Sequence, residues 1–233
     1  MNLFPGAKVC SFDCVYCFRG PTLVKRRSPY DPGLPTPEAL EDGLRRALSE
    51  VGEVRAVDFS GSGEPTLHSR LGEFIRVARR VVEELCPGAS VGIFTNSSTL
   101  GLESVVKALQ EADHVEAKLD SVDEGKFRII NRPVKGVKVG DILAALRSFR
   151  RSYGGSLAVQ VMLLSYGSLR NYTPEDAERM AEALAAVEPD EVHLYTVYRA
   201  PQIPLATRAP RGEILRFAEV LRERGLKVMV YPE

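Results

Sequence analysis

Near its start the chain reads Cys10-Ser11-Phe12-Asp13-Cys14-Val15-Tyr16-Cys17, which places three of its four cysteines in one short stretch. Thiolates held so close together must point at one shared group. A disulfide framework would instead spread an even set of cysteines along a small secreted chain. Zinc would need a fourth ligand, for which Cys86 and His68 are the candidates. A four-iron cluster bound by three thiolates would leave one iron open for catalysis.

The composition is that of an ordinary globular protein, with 233 residues, 44% hydrophobic and 27% charged. This length fits one large α/β domain, predicted to span residues 1–233. No apolar run approaches the roughly 20 residues of a membrane span, so no membrane partner is expected. Four cysteines without a secretory signal favour the reducing cytoplasm. The net charge of zero excludes a global basic field and leaves only a local patch for nucleic acid.

Apolar, β-rich runs alternate with segments of helical period along the whole chain, which is typical of a parallel sheet. Strands are predicted over residues 54–60, 90–96, 114–120, 157–164, 191–198 and 227–231. Helices are predicted from Thr36-Pro37-Glu38 onward and over residues 71–85, 102–111, 141–152, 174–187 and 211–224. Two connections, 121–138 and 201–210, are predicted to be loops, and the first is long enough to suggest a function.

Polar residues collect on one face near the carboxyl ends of the predicted strands. Glu116, Lys118 and Asp120 share one face of the strand predicted over residues 114–120. In the strand predicted over residues 157–164, Gln160 lies on one face and the apolar residues lie on the other. A parallel sheet covered by helices should be apolar on both faces. The polar face therefore predicts a partial or full barrel with a polar cavity. A closed eight-stranded barrel or a doubly wound sheet remains the alternative.

A second motif follows the strand predicted over residues 54–60 and reads Ser60-Gly61-Ser62-Gly63-Glu64-Pro65-Thr66-Leu67. Taken alone, a glycine-rich turn after a strand is common for steric reasons. Glycine backbone would let a ligand approach closely, and its carbonyl oxygens would suit a cationic group.

The two motifs together resemble those of the radical S-adenosylmethionine superfamily. Its signature has this cysteine spacing, with an aromatic residue, here Tyr16, before the third cysteine. Its second motif is Gly-Gly-Glu-Pro, which Gly63-Glu64-Pro65 matches and from which Ser62 departs. The resemblance implies an α/β fold, a partial (β/α)6 TIM-like barrel with parallel strands inside and helices outside. It also implies an iron–sulfur oxidoreductase.

The resemblance also implies the cofactors and their residues. Cys10, Cys14 and Cys17 would bind a [4Fe–4S] cluster, whose open iron chelates S-adenosylmethionine. One electron, from a donor of the ferredoxin or flavodoxin type, would cleave the sulfonium to a 5′-deoxyadenosyl radical that abstracts hydrogen from a substrate. Lys118 and Asp120 would face the ribose and carboxylate as the candidate catalytic pair, although a buried ion pair is the alternative.

Further contacts to S-adenosylmethionine are expected from the second motif and from neighbouring strand ends; these cofactor-binding residues are Tyr16, Ser60, Gly61, Gly63, Glu64, Asn96 and Gln160. The motif's backbone carbonyls would accept hydrogen bonds from the ammonium group. Simple hydrogen bonding within the cavity is the alternative for Asn96 and Gln160. Cys86 is interpreted as an inert thiol, and His193 as a core histidine with its hydrogen bonds satisfied.

A larger part of the chain, roughly residues 2–201, resembles the wyosine-synthase-like branch of this superfamily. The matching segments are residues 8–20, 60–67, 95–96, 118–120 and 131–133. Members that modify tRNA build a tricyclic guanine from N1-methylguanosine and pyruvate, and they carry a second cluster upstream of the first. Nine residues precede Cys10 and hold no cysteine. The polar, glycine-containing segment that usually precedes the first strand is also absent, so the start of the chain is expected to be truncated or misassigned.

Substrates of different kinds remain open. Two basic segments, Lys25-Arg26-Arg27 and residues 126–138, favour tRNA, which would be held by phosphate contacts. The zero net charge and the lack of a recognisable RNA-binding module weigh against it. An activating enzyme that forms a radical on a partner protein needs only a short barrel with a wide mouth. A small-metabolite enzyme is a further alternative, and a non-catalytic iron–sulfur protein is the weakest.

Overall fold

The computed structural model describes residues 1–231. In chain order its strands and helices are β1 (Val9–Cys10), β2 (Val24–Lys25), α1 (Pro37–Val51), β3 (Ala56–Phe59), α2 (Leu71–Leu85), β4 (Ser90–Thr95), α3 (Glu103–Leu109), β5 (His114–Lys118), α4 (Glu124–Asn131), α5 (Val139–Ser152), β6 (Ser156–Tyr166), β7 (Leu169–Arg170), α6 (Pro174–Ala185), β8 (Glu191–Thr196), β9 (Ala206–Arg208), α7 (Arg211–Glu223) and β10 (Val228–Tyr231). A short 3-10 helix, Pro65–Leu67, follows the second motif.

The six main strands form one parallel sheet in the order β3-β4-β5-β6-β8-β10. The ladder ends at β3 on one side and β10 on the other, and no pairing between these two strands closes it within residues 1–231. Helices connect successive strands of the sheet. This is the predicted partial barrel of parallel strands surrounded by helices, and the closed-barrel alternative is wrong.

The helices begin and pack as their sequences predict. At α1, the Thr36 hydroxyl accepts a hydrogen bond from the Ala39 amide, which satisfies one free N–H of the first turn. Leu40, Leu44 and Leu48 then bury one stripe of this helix. Each fully buried side chain of this kind stabilises the fold by roughly 1.5–3 kcal/mol. The outer layer of helices is therefore held by the hydrophobic effect, which leaves polar residues for the inner face.

Both predicted loops contain secondary structure, so these two predictions are wrong. Within residues 121–138 lies α4, which the Asp123 carboxylate caps by accepting from the Lys126 amide at 2.9 Å. Phe127 and Ile130 bury its inner face, and Arg132 ends it in the left-handed conformation at φ 46°. Within residues 201–210, β9 pairs antiparallel with the end of β6. The charged residues of α4 concealed its helical pattern.

The end of β6 extends beyond the parallel sheet. This strand runs to Tyr166, where β7 and β9 pair with it antiparallel. A small apolar cluster forms beneath this extension and contains Val15 of the cysteine stretch together with Ile130 and Leu164. The extension therefore packs against the segment that carries the cysteines. No helix in the described part of the chain is long and apolar enough to cross a membrane.

Candidate active site

The three cysteines of the first motif line one cavity at the carboxyl end of the parallel sheet. Lys8, Phe12 and Tyr16 of the same N-terminal segment also line it. The remaining lining residues lie within β4, β5 and β6 or follow β3 and β4; they are Ser60, Gly61, Gly63, Glu64, Phe94, Thr95, Asn96, Glu116, Lys118 and Gln160. All the residues that the sequence predicted for the site, except Asp120, lie in this wall. In barrels of parallel strands this end carries the chemistry.

Backbone hydrogen bonds with two distant segments hold the cysteine stretch. The Asp13 amide donates to the Asn131 carbonyl, and the Val15 amide donates to the Ile130 carbonyl, both at 2.9 Å. The Ile203 amide donates to the Val15 carbonyl at 3.0 Å. The stretch is thus fixed by the end of α4 and by the loop before β9, the two regions that the sequence predicted to be irregular.

Each cysteine sulfur of the motif accepts a hydrogen bond from a nitrogen of another segment. The pairs are Lys8 Nζ to Cys17 Sγ at 3.1 Å, Asn96 Nδ2 to Cys10 Sγ at 3.4 Å and Asn131 Nδ2 to Cys14 Sγ at 3.5 Å. Burial raises the pKa of the Cys10 thiol, and it raises the pKa of the Cys14 thiol to about 11. Donors that stabilise a thiolate sulfur fit a site built for metal-bound cysteine.

The arrangement of the cysteines fits a cluster better than a single ion. No group of three or more His, Cys, Asp or Glu side chains within residues 1–231 is placed to hold one metal ion. A [4Fe–4S] cluster needs a different arrangement, because each thiolate binds a separate iron. The proposed fourth zinc ligands also lie elsewhere: Cys86 lines another cavity at the end of α2, and His68 packs against Phe74 with its ring centroid 4.8 Å away.

Gly63 is packed against the chain that leads into the cysteine stretch. Its φ is +127°, and a Cβ at this position would lie 1.9 Å from the Val9 carbonyl oxygen. The next residue, Glu64, donates its amide to that same oxygen at 2.8 Å. The expectation that this glycine clears space for a ligand is therefore incomplete, since the space beside its Cα is filled by Val9.

The Glu64 carboxylate is buried and bonded entirely within the protein. Its Oε1 accepts from the Thr66 amide, the Thr66 hydroxyl and the Thr95 hydroxyl, at 3.1, 2.7 and 2.8 Å. Its Oε2 accepts from the Asn96 amide at 2.5 Å. Burial raises the pKa of this carboxyl, and these donors oppose the rise. The side chain joins the second motif to the end of β4, so any contact of this residue with a ligand falls to its backbone.

Lys118 and Gln160 face each other across neighbouring strands, as the register of β5 and β6 requires. The Lys118 ammonium donates to Gln160 Oε1 at 2.8 Å and lies 5.2 Å from the centre of the Tyr16 ring. The Gln160 amide nitrogen donates in turn to Glu116 Oε1 at 2.8 Å. These side chains form a polar row along the inner wall of the cavity.

Asp120 lies beside Lys118, with its Oδ1 3.3 Å from the Lys118 ammonium, but it is buried behind the cavity wall and does not line the cavity itself. Its side chain is fully buried. Oδ2 accepts from the Tyr16 hydroxyl and from Asn131 Nδ2, each at 2.5 Å, and Oδ1 accepts from the Met162 amide at 3.0 Å. Lys118 and Asp120 thus form the ion pair that the sequence left open as the alternative to a catalytic role. Burial and the Asp120 charge raise the pKa of the Tyr16 phenol well above its ordinary value.

His193 joins the same polar row at the level of Gln160, its register partner in β6. Its Nδ1 is 3.2 Å from Glu116 Oε1 and its Nε2 is 2.9 Å from Glu191 Oε2. The hydrogen bond with Glu116 raises the pKa of this imidazole, and the bond with Glu191 acts in the same direction. Both ring nitrogens therefore have partners, as expected for a satisfied histidine.

The sequence interpretation gave no role to Lys8, Glu116 or Asn131. Lys8 and Asn131 fall in segments that resemble the wyosine-synthase-like branch, but no local pattern connects them to a cysteine. Asn131 is separated from Cys14 by 117 positions along the chain. Glu116 had a signal, since it shares the inward face of β5 with Lys118.

The fold and the site define a class of protein: a partial parallel barrel with a three-cysteine stretch at its carboxyl end. The model of the Radical SAM superfamily matches residues 5–184. The chain belongs to this superfamily, whose cofactors are the predicted [4Fe–4S] cluster and S-adenosylmethionine.

Two curated relatives have similar sequences over most of this chain. The UPF0026 protein of Methanocaldococcus jannaschii is 31% identical over 98% of the chain, which spans 70% of that relative. The UPF0026 protein of Synechocystis is 32% identical over 79% of the chain, which spans 64% of that relative. A GTP 3′,8-cyclase of Mycobacterium marinum is 34% identical over 60% of the chain and 36% of its own length.

Solved structures share the fold at low sequence identity. Streptococcus suis SuiB bound to S-adenosylmethionine has a TM-score of 0.69 at 17% identity, covering 99% of this chain and 49% of its own. SuiB bound to its precursor peptide SuiA has a TM-score of 0.70 at 16% identity, covering 97% and 47%. TYW1 with a lysine-pyruvate adduct has a TM-score of 0.65 at 20% identity, covering 92% and 70%.

Proposed function

We propose that this protein cleaves S-adenosylmethionine reductively and uses the resulting 5′-deoxyadenosyl radical to abstract hydrogen from a macromolecular substrate. The observation that carries the proposal is the shared cavity: Cys10, Cys14 and Cys17 line it together with Gly61 and Gly63 of the second motif. A [4Fe–4S] cluster on these cysteines would supply the electron and an open iron. The electron would come from a ferredoxin or flavodoxin.

The protein's own residues bind and orient the ligand in this proposal. Backbone carbonyls of the Gly61–Gly63 segment would accept from its ammonium group, because Gly61 and Gly63 line the cavity without side chains of their own. Asn96, Lys118 and Gln160, which line the cavity, provide donors for its carboxylate and ribose. Tyr16 closes the cavity beside Lys118 and is held in place by Asp120, which acts as a positioning residue.

The proposed activity is tested by anaerobic reconstitution followed by an assay for 5′-deoxyadenosine in the presence of a reductant. Cys14→Ala should abolish its formation and reduce the bound iron, because one cluster ligand is lost. Cys86→Ala is the matched control and should retain both. Wild-type cleavage by Cys14→Ala would contradict the assignment.

Among macromolecules we place tRNA first. The sequence resembles the wyosine-synthase-like branch, and TYW1 shares the fold. Lys25, Arg26 and Arg27 follow the cysteine stretch and supply positive charge for phosphate contacts, above all the exposed Arg27, since Lys25 contacts Asp13 at 3.4 Å. The second basic segment contributes less than the sequence suggested, because Lys126 contacts Asp176 at 2.6 Å and Arg128 contacts Glu124 at 2.7 Å.

A peptide or protein substrate is the second candidate. SuiB bound to a precursor peptide shares the fold, as does a domain of a pyruvate-formate lyase-activating enzyme from Bacteroides vulgatus with a TM-score of 0.57. Within residues 1–231 the sheet is open between β3 and β10, and this gap would favour entry of a peptide chain from the side.

Isotope transfer distinguishes these substrates. The reduced enzyme is incubated with deuterated total RNA or with deuterated cell protein, and deuterium is measured in 5′-deoxyadenosine. We expect label from the RNA pool alone. Label from the protein pool alone would overturn the choice of tRNA, and label from neither pool would indicate a small metabolite.

A further inference from the structure

The three hydrogen bonds from side-chain nitrogens to cysteine sulfur come from donors of unequal charge. Asn96 and Asn131 donate from neutral amides, whereas Lys8 donates from an ammonium group. Lys8 is 8% exposed, so water screens its charge little. Among these donors Lys8 therefore has the strongest electrostatic effect on a bound cluster.

A second hydrogen bond holds the Lys8 ammonium beside the Cys17 sulfur. Its Nζ donates to the Gly20 carbonyl at 2.6 Å as well as to Cys17 Sγ at 3.1 Å. These two acceptors flank the last turn of the cysteine stretch, where the Gly20 amide donates to the Cys17 carbonyl at 3.1 Å. The ammonium group is thus fixed beside one particular ligand.

We propose that Lys8 is a positioning residue that raises the reduction potential of the [4Fe–4S] cluster through its hydrogen bond to Cys17. Asn96 and Asn131 act in the same direction and more weakly. The inference rests on the cluster of the superfamily and is independent of the substrate.

The direction of the change in reduction potential follows from the charges of the cluster and of Lys8. A [4Fe–4S] cluster in its 2+ state, bound by three thiolates, carries one net negative charge, and uptake of one electron adds a second. A nearby cation and an N–H donor stabilise the more negative state more strongly, so they favour reduction. Loss of the Lys8 ammonium should therefore lower the reduction potential.

The test compares Lys8→Met, Lys8→Arg and the control Lys25→Met after anaerobic reconstitution. Lys25 is a suitable control because it lies in β2, paired with Cys10 in register, while its ammonium contacts Asp13 at 3.4 Å. Iron and sulfide are quantified, and the cluster is then titrated with dithionite and followed by electron paramagnetic resonance. S-adenosylmethionine is left out, so failure of the proposed cleavage reaction would not affect this result.

We expect Lys8→Met to lower the equilibrium constant for one-electron reduction by roughly three- to tenfold, the range that a typical intramolecular hydrogen bond contributes. Lys8→Arg should recover most of this loss, and Lys25→Met should change the constant less than twofold. An unchanged potential in Lys8→Met would overturn the proposal. An equal shift in Lys25→Met would also overturn it, because net charge alone would then explain the effect.

A second measurement covers the case in which Lys8→Met fails to bind iron. The wild-type protein is labelled with 15N at the lysine side chains, and the reduced cluster is examined by pulsed electron paramagnetic resonance. We expect a nitrogen coupling that persists in Lys25→Met and disappears in Lys8→Arg. Absence of the coupling in the wild type would overturn the proposal.

Discussion

The Gly63 Cα lies so close to the Val9 backbone that a Cβ would fall 1.9 Å from the Val9 carbonyl oxygen. Val9 directly precedes the first cysteine, and Gly63 directly precedes Glu64 of the second motif. The two motifs, far apart in the sequence, are therefore one packed unit. A substitution in either motif should therefore affect the binding of both the [4Fe–4S] cluster and S-adenosylmethionine.

Gly63→Ala should impair cluster assembly as well as ligand binding. The added methyl group meets backbone, which cannot move aside cheaply, and the φ of +127° disfavours any side chain. We expect a loss of about 2 kcal/mol or more in the free energy of unfolding and less iron per chain. Gly101→Ala is the control, since a Cβ there would meet nothing within 4 Å. Thermal unfolding and iron analysis check this, and wild-type iron content in Gly63→Ala would contradict it.

Glu64→Gln should destabilise the fold although it preserves the shape of the side chain. One glutamine oxygen cannot accept from all the donors now shared by two carboxylate oxygens, so the new NH2 group must face the Asn96 amide or Thr66 and Thr95. A buried donor left unpaired costs about 1–3 kcal/mol. Urea unfolding should show this loss, whereas Glu73→Gln, in an exposed pair with Arg70, should lose less than about 1 kcal/mol. Equal losses would contradict the account.

Asp120→Asn should loosen the wall of the cavity. The aspartate accepts from Tyr16, Asn131 and the Met162 amide, and the amide of an asparagine would compete with these donors. We expect lower thermal stability by a few degrees and weaker binding of S-adenosylmethionine by isothermal titration. Asp42→Asn, at an exposed position of α1, should leave both unchanged. A reduced affinity in Asp42→Asn as well would show that the effect is not local.

The three histidines should titrate differently. Burial lowers the pKa of His68 below 6.5, whereas hydrogen bonds with Asp58 and Glu116 raise the pKa of His114 and His193 above 6.5. Proton NMR of the ring Cε1–H signals, assigned by substitution, measures each value. A pKa of His193 below 6.5 would contradict the geometry of its two carboxylate partners.

The raised pKa of His193 has a defined sign for stability. Its stabilising contribution is complete below the unfolded-state pKa of 6.5 and disappears as the pH rises through the folded-state pKa. The difference in unfolding free energy between the wild type and His193→Gln should therefore shrink as the pH rises from below 6.5 through the raised folded-state pKa of His193. A difference that grows with pH would have the wrong sign.

Sequence patterns predicted those parts of the fold in which burial alternates regularly. The six main strands and most helices were located because apolar residues recur at intervals of two or of three and four. Helix α4 was missed because Lys126 and Arg128 interrupt a segment with only two buried apolar positions, Phe127 and Ile130. Its cap at Asp123 and its end at Arg132, before a proline, were signals that could have located it.

At the site, the sequence identified the residues that belong to compact motifs or alternate along one strand. Asp120 was placed beside Lys118 by strand alternation, but its other partners Tyr16 and Asn131 come from other parts of the chain and no local pattern indicated them. The donors to the cysteine sulfurs could not be predicted for the same reason. Contacts of this kind depend on how distant segments fold together, so no local pattern of hydrophobic residues can predict them.

The backbone hydrogen bond between Ile203 and Val15 bears on when the cluster can be inserted during protein synthesis. The cysteine stretch is synthesised well before the segment that contacts it at Ile203. Until then Val15 lacks one of its backbone partners and the cover of the apolar cluster beneath β6 and β9. A cell that inserted iron during translation would meet an incomplete pocket, so delivery to the finished chain is the favourable order.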